Sequence, residues 1–361
     1  MMEQASSGFA AIDAAELAAF AARLFMARGM KSEHASQVAD VLVWADLRGV
    51  DSHGVERLPS YLSLIERGQM NPHGEPRLDD VAPALFRIDA DRAAGPVPMI
   101  MATDEAVRRA RTFGVATGVV CRSAHTGAVG YYVQRAARQG FIAIVMGSGP
   151  PLMAYHGART ASLSTSPFAI GVPGGPDGTI VLDMATSVAS NGKLKQARRD
   201  KTPIPLGWAL DANGAPTTDP ANAAISLPIG GPKGAGLGLM FECVTSVLAG
   251  APLLANMLGP GKTSFHMQSE TFIAIDATKL RARNDYEQDI AALASVLKGL
   301  PRAEEGQPIR LPGERSEDEA RRRSRDGVPV SKRLGEQLIE LAQTCGVQPP
   351  IFKNWQGAKT C

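Results

Sequence analysis

"ATGVVCRSAHTGAVGYYVQRAARQGFIAIVMGS", residues 116–148, begins and ends on a short β-rich run and holds a helical stretch, 127–138, between them. Short apolar runs bounded by glycine and small polar residues fit buried strands better than helices. Working outward, "TIVLDMA" at 179–185 and "TFIAIDA" at 271–277 repeat the strand texture, and 103–113 and 235–249 repeat the helical one. This alternation, from about residue 84 onward, predicts an α/β core.

Both ends of the chain read differently. Asp13 stands as an N-cap with Glu16 three residues on, and Leu17, Phe20, Ala21, Leu24 and Phe25 recur at helical spacing up to a stop at Gly29. A second helix is expected from Ser32 to about Leu47, with Val38, Val41, Leu42 and Ala45 on one face, and a third from about Pro59. Residues 300–330 are polar and turn-rich and are expected on the surface. A final helix carries Leu334, Leu338, Leu341 and Ala342 and stops at Gly346. The predicted organisation is an N-terminal helical segment, 1–83, an α/β core, 84–290, and a C-terminal segment, 291–361, packed with the N-terminal helices. No internal repeat is visible.

Composition narrows the function classes. The 361 residues include 38 basic and 36 acidic side chains, for a net charge of +2. No basic stripe interleaved with aromatics is present, which argues against a dedicated nucleic-acid binder. The start, "MMEQASSGFAAIDAAELAAF", lacks a basic n-region, and no apolar run reaches the ~18 to 20 residues of a membrane helix. Cys121, Cys243, Cys345 and Cys361 are far apart and form no CxxC pair, so neither a disulfide framework nor a cysteine–zinc site is expected. A reducing, cytoplasmic setting is the expectation.

Four glycine-rich connections concentrate the polar chemistry. "RGVDSHGVERLP", 48–59, gathers Arg48, Asp51, Ser52, His53, Glu56 and Arg57 around two glycines, although a solvated charged turn would look similar. "SAHTGAVGYY" places His125 after a strand and before a helix expected to open at Thr126 and Gly127, where free amides would suit an anionic group. "VLDMATSVASNGK" closes a strand at Asp183 and brings Asn191, Gly192 and Lys193 to the start of a helix. "GGPKGAGL" sets Lys233 among close glycines, a clamp for phosphate or carboxylate. No G-x-G-x-x-G follows a strand, and "NMLGPGKTS" has Asn256 where a phosphate loop needs its first glycine, so Lys262 and Thr263 read as a turn.

In this order, "ADLRGVDSHGVERLPSY", "SAHTGAVGYYV", "LDMATSVASNGK" and "GGPKGAGL" resemble the type-2 malate/L-lactate dehydrogenase family over about residues 10–350. That family also holds sulfolactate and ureidoglycolate dehydrogenases and cyclic-imine carboxylate reductases. The resemblance implies a non-Rossmann mixed-sheet fold binding NAD or NADP, a homodimer with its active site near the interface, and hydride transfer at C2 of a 2-hydroxy/2-oxo acid or imine. It implies catalytic roles for Ser52, His53, His125 and Lys193, and substrate contacts from Arg57, Arg48 and Thr165. Cofactor contacts are implied for Ser148, Asp183, Met184, Ala185, Lys233, Gly313, Glu314 and Arg315. Either histidine could supply the proton that hydride transfer to a carbonyl requires, with Ser52 orienting the ring, and a planar guanidinium suits a carboxylate.

The chain departs from the family's pattern at "LSTSPFAI", where Ser166 stands for an asparagine, and at Gly149 and His156. Lys193 stands where the imine-reducing branch is expected to carry aspartate. An ammonium there would repel an iminium substrate and favour an open-chain 2-oxo acid, unless Lys193 simply points to solvent. The main expectation is a 2-hydroxy-acid dehydrogenase, with a cyclic-imine reductase as the alternative. A serine hydrolase is disfavoured, because neighbouring side chains such as Ser52 and His53 usually point apart and no G-x-S-x-G elbow is present. A non-catalytic binding protein is the remaining rival.

Overall fold

The computed structural model describes residues 10–259 and 267–355. The chain divides into two compact units, residues 1–73 with 314–361, and residues 74–313. The boundaries thus lie at 73/74 and 313/314 rather than at 83 and 290.

The smaller unit is mostly helical. Asp13 caps the helix Ala14–Met26 by accepting from the Ala15 and Glu16 amides. The carboxylate of Glu16 does not complete a reciprocal box; it pairs with Arg23 at 3.1 Å. Leu17, Phe20, Leu24 and Phe25 are fully buried, and this helix packs on Ser32–Leu47. Burial of each such side chain contributes about 1.5–3 kcal/mol. Leu58–Glu66 begins one residue before Pro59, as a proline in the first turn allows. A small sheet sets Ala10–Ile12 antiparallel between Val328–Val330 and Phe352–Lys353, joining the two chain ends.

Residues 300–330 are not all irregular surface. Glu314–Asp326 is a helix that packs on Ser32–Leu47. Its apolar signal is nearly absent, and what stabilises it is charge at helical spacing: Arg321 with Asp318, and Arg322 and Arg323 with Glu319. Those hydrogen bonds, Arg322's first, pull Glu319 down to about 2. The last helix, Lys332–Cys345, ends at Gly346 in the left-handed region, as its sequence requires.

The larger unit is built on a seven-stranded mixed sheet among the described residues. Its order is Arg77–Ala82, Leu85–Asp89, Val115–Ser123, Gln268–Ile275, Ile142–Ser148, Phe168–Pro173 and Thr179–Met184. Only the second and third strands are parallel; the other pairs are antiparallel. The parallel pair is joined through the helix Pro96–Phe113, which begins earlier than residue 103. Mostly antiparallel pairing separates this sheet from the doubly wound parallel dinucleotide fold and explains why the glycine fingerprint is missing.

Register brings several strand ends to one edge. Gln268 lies opposite Ser123, Ser269 opposite Ser148, and Phe168 opposite both Met146 and Met184. The connections that follow Ser123 and Met184 and precede Phe168 therefore leave the sheet at the same end. The helix Pro232–Glu242 runs into a π-helical turn, Cys243–Val247, in place of one α-helix to residue 249.

Candidate functional site

In the smaller unit the 48–57 segment folds as two short 3-10 turns, Asp51–His53 and Val55–Arg57, directly after the helix Ser32–Leu47. Asp46 anchors them from within. Its carboxylate accepts the Val55 amide at 2.8 Å, and burial pushes its pKa well above the usual carboxylate range against that bond. Gly54 sits so close that an added Cβ would lie 1.8 Å from Asp46 Oδ1, so only glycine fits. Arg323 closes the turn from the other side, donating to the Asp46 carbonyl at 2.6 Å and to Asp51 Oδ1 at 2.7 Å.

Held this way, Ser52 Oγ lies 3.0 Å from His53 Nδ1. The expectation that these neighbours point apart is overturned: on the Asp51–His53 turn the short Ser52 side chain and the His53 ring bend towards each other into hydrogen-bond contact. Arg57 Nε donates to the Ser52 carbonyl at 2.6 Å, which fixes the guanidinium beside the pair. Arg48 is otherwise committed. It is buried, forks onto Glu317 Oε1 at 2.7 and 3.2 Å, and lies 4.2 Å over the Trp44 ring. It is a structural cation and a poor candidate for a substrate.

In the larger unit the helix after His125 opens at Gly130, not at Thr126. No helix N-terminus therefore presents its amides at the histidine. Three loop amides are spent internally: Thr126 on Gln268 Oε1 at 2.8 Å, Gly127 on His125 Nδ1 at 3.2 Å, and Gly130 on Asp183 Oδ2 at 2.8 Å. Tyr132 donates to the Thr126 carbonyl at 2.5 Å. Gly95 presses on the His125–Thr126 backbone so closely that a Cβ would meet it at 2.5 Å. His125 is half-buried on this hydrogen-bonded loop.

Hydrogen bonds chain the other segments of this sheet edge together. The Thr186 amide and hydroxyl both donate to the Thr165 carbonyl, at 2.9 and 3.0 Å, and the Ile229 amide donates to the Thr186 carbonyl at 2.8 Å. Asp183, Met184, Ala185, Thr165 and the 229–233 turn thus belong to one patch. Asp183 is reachable by solvent, yet the surrounding protein desolvates it and pushes its pKa up to about 6, against the Gly130 amide's pull. Lys233 is exposed beyond Gly230 and Gly231, at φ +59° and +61°, with the His156 ring against Gly231. An exposed ammonium beside two bare glycine backbones fits a dinucleotide's phosphates.

Two polar residues of this edge escaped sequence reasoning. Gln268 holds the Thr126 amide and hydroxyl, at 2.8 and 3.0 Å, and Glu270 lies almost wholly buried on the same strand beside Thr126. Burial pushes the Glu270 carboxyl well above its usual range, with the Thr126 hydroxyl's bond pulling it back. The available signal was two polar side chains at the head of an otherwise apolar strand run, "QSETFIAI".

Several expected contributors lie elsewhere. Ser148 is buried and accepts from the Thr245 hydroxyl at 2.8 Å. Lys193 is exposed on the first turn of Asn191–Asp200, not buried among apolar neighbours. Gly313 packs against the Val181 carbonyl, where a Cβ would come within 2.9 Å, while Glu314 and the exposed Arg315 open the helix of the smaller unit. Lys262 and Thr263 of the phosphate-loop-like stretch lie outside the described residues. Among the described residues, no cluster of three or more His, Cys, Asp or Glu could hold a metal ion.

Residues 12–339 match a family model described as malate/L-lactate dehydrogenase. The chain is 34% identical over 317 residues to the ureidoglycolate dehydrogenase (NAD(+)) of Escherichia coli, covering 87% of this chain and 90% of that protein. It is 31% identical to the Delta(1)-pyrroline-2-carboxylate/Delta(1)-piperideine-2-carboxylate reductase of Pseudomonas aeruginosa, over 91% of this chain and 98% of the other. The solved malate dehydrogenase of Pyrococcus horikoshii superposes with a TM-score of 0.86 at 30% identity, over 97% of this chain and all of that one.

Proposed function

The chain belongs to the malate/L-lactate dehydrogenase family, and on that footing we propose that it interconverts a small 2-hydroxy acid and its 2-oxo acid with NAD or NADP. The bound nicotinamide supplies or accepts the hydride at C2 of the acid. His53 exchanges the proton of the C2 oxygen, and Ser52 fixes the ring through Nδ1. Arg57 grips the substrate carboxylate with its planar fork. Lys233 and the Gly230–Gly231 turn hold the cofactor phosphates, and Asp183, Met184 and Ala185 line the cofactor's recess. Thr165 is placed in the same patch through Thr186.

One observation carries this reading: Ser52 holds an imidazole and a guanidinium side by side, its hydroxyl 3.0 Å from His53 Nδ1 and its carbonyl accepting from Arg57 Nε at 2.6 Å. A serine nucleophile would need a base and an oxyanion hole. Here Ser52 serves as the ring's partner.

For the substrate, the dehydrogenase relatives support an open-chain 2-oxo acid, while the solvent-exposed Lys193 gives no preference between it and a cationic cyclic imine. A homodimer fits the helix from Pro232 and its π-helical extension, which leave Leu237, Met240, Val247 and Leu248 exposed. A reducing, cytoplasmic setting fits Cys121, Cys243 and Cys345, which are free, and no described helix is long and apolar enough to cross a membrane.

The test is consumption of NADH and of NADPH, followed by absorbance, with pyruvate, oxaloacetate, larger 2-oxo acids and the two cyclic imine carboxylates. The reading expects open-chain acids to win by at least roughly tenfold in kcat/KM, about 1.4 kcal/mol. Faster turnover of the imines would move the assignment to the reductase branch. No turnover of any compound would remove it.

A further inference from the structure

The sheet edge of the larger unit holds a buried carboxyl that the proposed chemistry does not use. Next to it the strand Val115–Ser123 bulges: Gln268 pairs with Ser123 but Glu270 with Val120, and Arg122 within the bulge has φ +56°. A bulge re-aims the chain that leaves it, here into the 123–130 loop. Gln268 and Glu270, two residues apart on one strand, share the face that meets Thr126.

The hydrogens on this face can be counted. The Thr126 amide can only donate, so the atom it meets at 2.8 Å is the Gln268 oxygen. The Thr126 hydroxyl has one hydrogen and gives it to the same oxygen at 3.0 Å. An ionised Glu270 could only accept and would compete for that hydrogen. A carboxylic acid donates instead, to a lone pair of the hydroxyl, and the hydrogens then run one way, from Glu270 through Thr126 to Gln268. Glu270 Oε2 is buried with no hydrogen-bond partner among the described residues, which a carbonyl oxygen tolerates better than half of a carboxylate does.

The cations of the surrounding elements are engaged elsewhere. Across the sheet Glu270 faces Val120 and Gly147. The helix Pro96–Phe113, packed on this strand, carries its first charge at Asp104, which takes Arg135 of the next helix. Arg122 forks onto Asp89. The π-helical turn lies on the other face of the strand, where Thr271 donates to the Val244 carbonyl at 2.5 Å. The loop itself carries His125 and, through Gly130, meets Asp183. Burial pushes the carboxyls of both Glu270 and Asp183 up.

We infer that Glu270 is carried as a carboxylic acid and is a positioning residue: through Thr126 it sets the 123–130 loop, whose far end holds Asp183 in place for the cofactor. The role toward the cofactor rests on the dehydrogenase reading above; the protonated state does not.

Both parts are tested on the whole protein. Glu270→Gln keeps an N–H donor and cannot ionise. In urea midpoints read at each pH, it should gain on wild type as pH rises above 4.5, the carboxyl's ordinary value. A loss that grows over the same range, the sign of a carboxylate that the fold stabilises, would overturn the inference, and so would a difference independent of pH. Position is read by titrating each variant with NADH and with NADPH. Glu270→Gln should bind as wild type does, and Glu270→Leu roughly tenfold more weakly. Full affinity in Glu270→Leu, or the same loss in Glu270→Gln, would remove Glu270 from that role. Should Glu270→Leu fail to fold, Thr126→Val breaks the same chain at its middle and should also bind roughly tenfold more weakly; unchanged affinity there overturns the role. If wild type binds neither cofactor, the dehydrogenase reading fails, while the urea series still decides the state of Glu270.

Discussion

The 51–57 turn and the 123–130 loop are alike in sequence, each with a histidine close to serine or threonine and glycine, and they are built by opposite means. The first hangs on charged side chains from remote segments: Asp46 takes the Val55 amide, and Arg323 reaches across to Asp51 and to the Asp46 carbonyl. The second is held by backbone amides, one tyrosine hydroxyl and Gln268 at the head of the central strand. Side-chain anchoring leaves His53 with a hydroxyl partner, and backbone anchoring leaves His125 with an amide. What surrounds a histidine decides its chemistry more than the residues beside it in sequence.

That contrast is most easily broken at His53. His53→Ala should lower kcat by roughly 100-fold or more, the ordinary scale of acid–base help, with the affinity for NAD(P)H near wild type. Near-normal turnover would remove His53 from the proton's path.

Arg57→Lys comes next. An ammonium can neither fork onto a carboxylate nor keep the bond to the Ser52 carbonyl. The loss of a hydrogen bond to a charged group, about 1.5–3 kcal/mol, should raise KM for the acid by roughly ten- to hundredfold and leave cofactor affinity alone. An unchanged KM would free Arg57 from the substrate. Arg48→Lys sharpens the same point. It should cost about 1 kcal/mol in urea unfolding, through the lost fork onto Glu317, and leave KM where it was. A KM that moved as far as with Arg57→Lys would return Arg48 to the site.

The smallest effect concerns the other region. The folded Asp183 carboxyl holds its proton up to about pH 6, against an ordinary value of 3.8. Its contribution to stability is full below about 3.8 and is lost as pH rises through about 6. Asparagine can still accept the Gly130 amide and does not ionise. Asp183→Asn should therefore gain on wild type between pH 4 and 6, in urea midpoints read at each pH, and hold that gain above. A difference independent of pH would mean that Asp183 is not desolvated.

Much of this architecture was legible in the sequence, and the failures share a physical cause. The helix Ser32–Leu47 and the strands around 116–121, 141–148 and 271–275 announce themselves through apolar spacing, because burial is what stabilises them. Glu314–Asp326 has almost no apolar face and is stabilised by Arg–carboxylate pairs, so a reading based on hydrophobic period passes over it. The positions of His53, Arg57, His125, Asp183 and Lys233 in polar connections were also legible. Their partners were not. Arg48 reads like a substrate contact until Glu317 is brought to it, and Ser148 reads like a cofactor contact until register lays it beside Ser269 with Thr245 donating to it. Gln268 and Glu270 carry no motif, and only strand pairing puts them beside the His125 loop.

The central claim, hydride transfer to C2 of a 2-oxo acid, is tested most directly with reduced cofactor deuterated at C4 of the nicotinamide. After incubation with the best 2-oxo acid from the panel, proton and deuterium NMR of the product should show deuterium on C2 of a 2-hydroxy acid, with the hydroxyl proton drawn from water. Cofactor consumed without deuterium at C2, or a product labelled at C2 only from solvent, would contradict the account.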